Sequence, residues 1–153
     1  MSHELIPTAR RLANVNVRRP RQADLKRAIS SAYYALFHTL AKECADRLIG
    51  SGPPQRGAAW RQVYRALEHG FAKNACGQVT NLGFPPGVVH FADTFARLQD
   101  QRHQADYDPE ARYIRADVLI MITEVEQAIS ALKGTSVRDR TAFAALVLLK
   151  NRR

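Results

Sequence analysis

One long apolar stripe constrains the fold of this chain more than any other feature. From about Pro20 or Asp24 to Ile49, apolar residues recur every three or four positions, which is the period of one face of an α-helix. The stripe consists of Leu25, Ile29, Ala32, Tyr33, Leu36, Phe37, Leu40, Cys44 and Leu48. Residues 50–54 (GSGPP) follow, and such a run ends a helix. The sequence therefore predicts a long amphipathic helix with a defined end.

The helical period recurs along the rest of the chain, without strand alternation, internal repeats or low-complexity segments. Further helices are predicted over about 5–15, 56–73, from near 86, over about 108–134 and over 136–150, with a loop at 77–87. Asp108, Pro109 and Glu110 have the cap, proline and acidic residue that begin the fifth helix. Because short connections make helices antiparallel neighbours, we predict an all-α up-and-down bundle of four to five main helices plus a C-terminal helix.

The length of 153 residues predicts one domain, 1–153, with a core at about 12–133 and a C-terminal helix at about 136–150. A hydrophobic content of 46% supplies such a core without a disulfide or metal. No apolar run reaches the roughly 20 residues of a membrane span, and the first residues lack a signal-peptide pattern. Two cysteines are too few for a disulfide framework. We therefore expect a cytoplasmic protein that does not associate with a membrane.

The charge is strongly basic, with 23 Lys and Arg against 14 Asp and Glu and a net charge of +9. Basic residues cluster at 10–11, 18–21, 26–27 and 150–153. Guanidinium groups pair with phosphate oxygens, and a basic surface attracts polyanions. The charge indicates a nucleic-acid, nucleotide or acidic-protein partner, and the alternative is an ordinary solvated surface.

Several kinds of chemistry lack their usual motifs. The five histidines form no His-x-x-x-His pair, and the cysteines form no Cys-x-x-Cys motif. Phosphate-binding glycine loops and the Gly-x-Ser-x-Gly elbow are not found either. We therefore predict neither a metal nor a cofactor. Tyr34 and His38, four residues apart on one helix face, could bond each other or a ligand, or pack at the edge of the core.

The helix that begins near residue 86 ends in a cluster of polar side chains. Its stripe runs through positions 88, 91, 95 and 98, and the same spacing puts Arg102 on the face that meets the bundle. A buried guanidinium needs a partner, and Asp106 is four residues further along. With His103 and Tyr107, this cluster could bind a phosphate and move a proton, as metal-free RNA cleavage requires. Alternatively, Arg102 and Asp106 only pin the end of the helix.

Two blocks of the sequence resemble a known family. Residues 27–38, RAISSAYYALFH, resemble the hallmark helix of the HEPN family (higher eukaryotes and prokaryotes nucleotide-binding). Residues 102–108, RHQADYD, are similar to the second hallmark of its small bacterial branch. The blocks occur in the expected order, and the resemblance covers about residues 12–132.

The resemblance implies a helical bundle that forms a homodimer. Many members are metal-independent ribonucleases, often toxins or defence proteins, in which an Arg and a His four to six residues later face a cleft shared with the dimer mate. Others do not catalyse and instead bind RNA, a nucleotide or a partner such as a nucleotidyltransferase antitoxin.

Two registers fit the catalytic pattern. Arg102 as the arginine puts Tyr107 where the histidine belongs, whereas Arg97 pairs formally with His103. Six helical residues separate Arg97 and His103 by about 120° around the axis, and Arg97 is off the apolar stripe. We therefore favour Arg102.

Three hypotheses follow from these residues. In the first, the chain is a HEPN endoribonuclease with Arg102, His103, Asp106 and Tyr107 as catalytic residues. In the second, it is a non-catalytic module that binds RNA, a nucleotide or a protein, because tyrosine replaces histidine. The third is purely structural. The predicted RNA- or nucleotide-binding residues are Arg27, Tyr34, His38 and Arg97.

Overall fold

The computed structural model describes residues 2–53 and 57–152. Within these ranges the chain forms seven helices and no strand, which confirms the predicted all-α helical bundle. The helices are α1 (Ser2–Ala13), α2 (Gln22–Leu48), α3 (Ala58–Ala66), α4 (His69–Cys76), α5 (Pro86–Tyr107), α6 (Arg115–Lys133) and α7 (Val137–Leu148).

Helix α2 is the centre of the bundle, and α1, α3, α5, α6 and α7 all pack against it. Its stripe is buried from Leu25 to Cys44 as the period predicted, except that Phe37 is half-buried, and Leu48 in the last turn is exposed. Tyr33 and Leu36 are fully inaccessible to solvent. Helix α5 runs antiparallel to α2, because Tyr33 contacts Phe95 while Ser30, earlier in α2, contacts Asp106, later in α5. This pairing brings the start of α2 to the end of α5.

The helix predicted over about 56–73 is two helices. α3 ends at Ala66, Leu67 and Glu68 have extended backbone, and α4 begins at His69. No residue of α3 is buried, whereas Leu67 reaches the core. The break turns the chain inward at Leu67, although no proline or glycine stands there to signal it. Arg56, the predicted first residue, lies outside the described residues.

The predicted start of the fifth helix at Asp108–Pro109–Glu110 is wrong, because α6 begins at Arg115. The Asp108 carboxylate instead accepts a hydrogen bond from the Glu110 N–H in a local turn. Further along, the side-chain amide of Gln22 of α2 accepts a hydrogen bond from the N–H of Tyr113 and donates one to its carbonyl, and Ile114 has extended backbone. A tertiary contact has prevailed over a local helix-start signal.

The first helix was predicted over about 5–15 and instead spans Ser2–Ala13, whereas the connection between α6 and α7 agrees with the expected signals. Ser136 caps α7 by accepting a hydrogen bond from the Asp139 N–H, as predicted, and Gly134 follows the end of α6. Near this connection α5 and α6 lie so close that a Cβ on Gly87 would meet the carbonyl oxygen of Ala131 at 2.6 Å. Glycine at position 87 is therefore a packing requirement.

None of the helices that the structure describes combines the length and the apolar character needed to span a membrane.

Candidate functional site

Arg102 lies on the inner face of α5, where the helical phase places it. Its side chain is only 12% exposed. The guanidinium carbon lies 5.2 Å from the centre of the Tyr33 ring and 5.8 Å from that of the Tyr34 ring. A cation against the faces of aromatic rings is stabilised by their quadrupoles. Arg102 is thus held by α2 as well as by its own helix.

Asp106 is the ion-pair partner of Arg102. Its Oδ2 accepts a hydrogen bond from Nη1 of Arg102 at 3.3 Å, and its Oδ1 accepts one from the Ser30 hydroxyl at 2.6 Å. Both carboxylate oxygens are therefore engaged. This arrangement pins the last turn of α5 to α2, as the structural reading of this pair expects.

His69, at the start of α4, joins the same group of rings. Its Nδ1 lies 2.6 Å from the hydroxyl oxygen of Tyr33, and its ring stacks on Phe37 with 4.1 Å between centroids. Burial lowers the pKa of His69, and the nearby charge of Arg102 lowers it further. Burial also raises the pKa of Tyr33. The pair therefore consists of a neutral imidazole and a neutral phenol at physiological pH.

A second tyrosine–histidine pair joins α2 to α3. Nδ1 of His38 lies 2.6 Å from the hydroxyl oxygen of Tyr64, and the two rings are stacked. Burial lowers the pKa of His38 and raises that of Tyr64. The polar tip of His38 is thus satisfied by another helix, while Tyr34 lies beside its ring at 6.1 Å.

These contacts build one half-buried surface along α2, between α3, α4 and the last turns of α5. We call it the tyrosine–histidine face and define it by Arg27, Tyr34, His38, Tyr64, His69 and Arg102. Arg27, Tyr34 and His38 are seven and four residues apart and share one side of α2. Arg27 is exposed, and no ion pair joins it to the residues that the structure describes. The face combines aromatic rings, neutral imidazoles and guanidinium groups.

His103 and Tyr107 lie outside this face. Both are exposed, Tyr107 to 68%, and their rings contact each other at 4.9 Å. His103 follows Arg102 directly, so its side chain leaves the helix about 100° away from the buried guanidinium. Within one chain the structure brings Arg102 together with Asp106 and does not bring His103 to either.

Arg97 faces yet another neighbour. Its guanidinium pairs with Glu124 of α6 at 3.1 Å. The structure therefore separates Arg97 from Arg27, Tyr34 and His38, the other three predicted ligand-binding residues.

Sequence reasoning missed His69 and Tyr64. Both were expected in one uninterrupted helix, and neither is in a motif. Their link to α2 depends on the break at Leu67 and Glu68, which redirects the chain so that α3 and α4 meet different turns of α2. The Tyr33–Tyr34 doublet was the available signal, because a fully buried tyrosine hydroxyl needs a partner from elsewhere in the fold.

Among the described residues, no group of three or more His, Cys, Asp and Glu side chains is placed to hold a metal ion. No family model matches the chain, and comparison with curated proteins and with solved structures gave no match either.

Proposed function

We propose that the chain is a HEPN-type protein that binds RNA along the tyrosine–histidine face. The observation that carries the proposal is the position of the Arg102 guanidinium over the Tyr33 and Tyr34 rings. The same face has two neutral imidazoles and Arg27, which forms no ion pair with the described residues. Single-stranded RNA is commonly recognised by aromatic and guanidinium planes that stack bases and by cations that follow the phosphates.

Partial exposure of this face also supports binding. Tyr34, His38, Tyr64 and His69 are half-buried, so their rings are ordered by packing yet retain surface for a ligand. The Tyr34 hydroxyl forms no hydrogen bond with the residues that the structure describes. Ordered rings lose little conformational entropy when a base stacks on them.

The chain's charge extends the attraction beyond the face itself. A net charge of +9 raises the local concentration of a polyanion and makes its binding sensitive to salt. The test is fluorescence anisotropy with a short labelled single-stranded RNA at increasing sodium chloride concentrations. We expect the dissociation constant to rise steeply with salt; an affinity that is the same at low and high salt would contradict the proposal.

Variants locate the binding on the surface. Tyr34→Ala removes a stacking ring and should weaken RNA binding about tenfold. Arg27→Ala should reduce the slope of log affinity against log salt concentration by the equivalent of about one phosphate contact. The matched control is Arg138→Ala, an exposed arginine at the start of α7. That helix starts beside Gly87, about 22 Å along α5 from Arg102, so this variant should bind almost as wild type. Equal losses for Arg27→Ala and Arg138→Ala would indicate diffuse charge and count against the face.

Metal-independent RNA cleavage is the second candidate function. It is favoured by the exposed His103 and Tyr107, which lie on the same two turns as Arg102 and are accessible to a second copy of the chain. A homodimer that faces two such turns across one cleft would combine an imidazole from one copy with the guanidinium of the other. Tyrosine is a poor base at neutral pH, so this reaction depends on His103.

Cleavage is tested with purified protein and RNA in EDTA. Wild type should cut faster than Arg102→Ala and His103→Ala; a wild type that cuts no better than both variants would exclude the second candidate. His103→Ala should leave RNA affinity unchanged, which separates the two functions.

A further inference from the structure

The ring of His69 is clamped in one orientation. Phe37 stacks on one side of it at an interplanar angle of 20°, and the Tyr33 hydroxyl meets its Nδ1 at 2.6 Å. Nε2 is on the opposite edge of the imidazole, and no described residue forms a hydrogen bond with it. Because the ring is half-buried, Nε2 is the polar atom through which His69 can meet a ligand.

The Tyr33 hydroxyl decides which nitrogen of His69 carries the proton. Tyr33 is completely buried, and Nδ1 of His69 is the acceptor that the described part of the chain offers to its O–H. A buried hydroxyl that does not donate leaves a polar hydrogen unsatisfied, which destabilises the fold. When the hydroxyl donates to Nδ1, the neutral imidazole carries its proton on Nε2.

Arg102 lies against the same two tyrosine rings as His69. The His69 ring is 5.6 Å from that of Tyr33 and 6.0 Å from that of Tyr34, and the Arg102 guanidinium carbon is 5.2 and 5.8 Å from them. Nε of Arg102 is buried without an acceptor, and Nη2 forms no hydrogen bond within the described residues. The guanidinium therefore has donors that Asp106 does not use.

We propose that Tyr33 holds His69 as an Nε2–H donor, and that this donor and the Arg102 guanidinium together bind a phosphate group on the tyrosine–histidine face. The inference rests on the proposed RNA binding and assigns the phosphate to this end of the face. The Tyr34 ring lies 6.0 Å from the His69 ring and 5.8 Å from the Arg102 guanidinium carbon, so its hydroxyl is a third donor on this part of the face. The negative charge of the nearby Asp106 carboxylate is offset by its ion pair with Nη1 of Arg102, which leaves Nη2 for the phosphate.

The tautomer is measured in the free protein, independently of any ligand. Long-range proton–nitrogen NMR of the labelled protein at pH 7.5 distinguishes imidazole protonated on Nε2 from imidazole protonated on Nδ1. We expect His69 to carry its proton on Nε2 in wild type and to become a mixture in Tyr33→Phe, which keeps the ring and removes only the hydroxyl. Protonation on Nδ1 in wild type would overturn the inference.

Phosphate recognition is measured with adenosine 5′-monophosphate, and adenosine serves as the matched probe without a phosphate. The monophosphate should shift the His69 Nε2 signal, and adenosine should not. His69→Asn, which retains an acceptor near Nδ1 but lacks the outward donor, should bind the monophosphate about tenfold more weakly. His69→Gln, whose amide reaches the position of Nε2, should recover part of the loss. Equal shifts with both probes, or wild-type affinity in His69→Asn, would overturn the inference.

The two proposals fail separately. If Tyr34→Ala and Arg27→Ala weaken RNA binding while His69→Asn binds the monophosphate as wild type, RNA binding stands and the phosphate subsite is rejected. If RNA does not bind while the monophosphate still shifts Nε2, the subsite stands for a free nucleotide and the RNA proposal is rejected.

Discussion

Arg140 of α7 donates a hydrogen bond to Oε1 of Glu43 on α2 across 2.9 Å. The contact is nearly dry, since the side chains are 17% and 11% exposed. Arg47 approaches the same oxygen at 3.4 Å, and Arg140 also bonds the carbonyl of Thr135 through Nε. The C-terminal helix is therefore joined to α2 by charge, while its buried Phe143 packs against Phe91 of α5.

Replacing Arg140 should destabilise the fold. Arg140→Met keeps the apolar stem but leaves the buried Glu43 carboxylate with Arg47 alone, and we expect a loss of about 2 kcal/mol of unfolding free energy. The measurement is urea denaturation followed by circular dichroism. Arg10→Met is the control, because Arg10 forms an exposed pair with Glu126 and should lose less than about 1 kcal/mol. A loss for Arg140→Met no larger than for Arg10→Met would contradict this prediction.

Gly87→Ala should weaken the contact between α5 and α6. Its Cβ would meet the Ala131 carbonyl oxygen and the Thr135 hydroxyl, neither of which can move without disturbing the end of α6. We expect a loss of about 1–3 kcal/mol by thermal or urea unfolding. Gly70→Ala is the matched substitution in α4, where a Cβ meets nothing within 4 Å, and it should stabilise the protein by up to about 1 kcal/mol. The prediction fails if both variants change stability in the same direction.

Acid should destabilise the protein through His38 and His69. Burial lowers the pKa of both from the ordinary value of 6.5, so the unfolded chain binds protons more readily than the native state. The resulting stability is fully present above about pH 6.5 and is lost as the pH falls through the native pKa values. Urea denaturation at pH 7.5 and pH 5 should record this decrease. The double variant His38→Gln/His69→Gln should have a smaller decrease; an equal decrease would assign the effect to other groups.

The two thiols should be inert in the native state. Burial raises the pKa of Cys44 and of Cys76 to about 12 from 9.0, and the thiolate is the form that reacts. At pH 8 a chromogenic disulfide reagent should label the folded protein at least about a hundredfold more slowly than the urea-unfolded protein. The raised pKa values also imply that stability falls as the pH rises from about 9 towards 12. Rapid labelling of either cysteine without denaturant would contradict this burial.

Much of the fold could be predicted because helical period records which side of a helix is buried. Spacing predicted the stripe of α2 and the position of Arg102 on α5, and both lie inward except for Leu48 at the end of the stripe. The start of α7 was also predicted correctly, because its signal is local: the Ser136 side chain caps the helix three residues before Asp139. The start of α6 was misplaced because Gln22, 91 residues from Tyr113 in the sequence, hydrogen-bonds both backbone polar groups of Tyr113 just before α6.

The candidate site was less accessible to sequence reasoning. The partner of Arg102 was predicted as Asp106, since four residues of helix place both on one side. His69 could not be predicted in the same way, because its place beside Tyr33 follows from a two-residue break that no proline or glycine marks. Which residues of two helices come into contact depends on the path of the chain between those helices. The spacing of residues within one helix gives no information about that path.

Helix α3 is not buried, and it places an intrinsic fluorophore at the surface of the bundle. The protein's one tryptophan, Trp60, is on this helix and bonds Asp46 of α2 at 2.9 Å while its ring stacks on Tyr64. No side chain within Ala58–Ala66 is buried, so this helix should open locally at a lower free energy than the bundle. The fluorescence of Trp60 will therefore report local opening of α3 at the tyrosine–histidine face and not the global unfolding of the protein. A ligand bound to that face should shift the emission maximum and change the emission intensity of Trp60 without unfolding of the bundle.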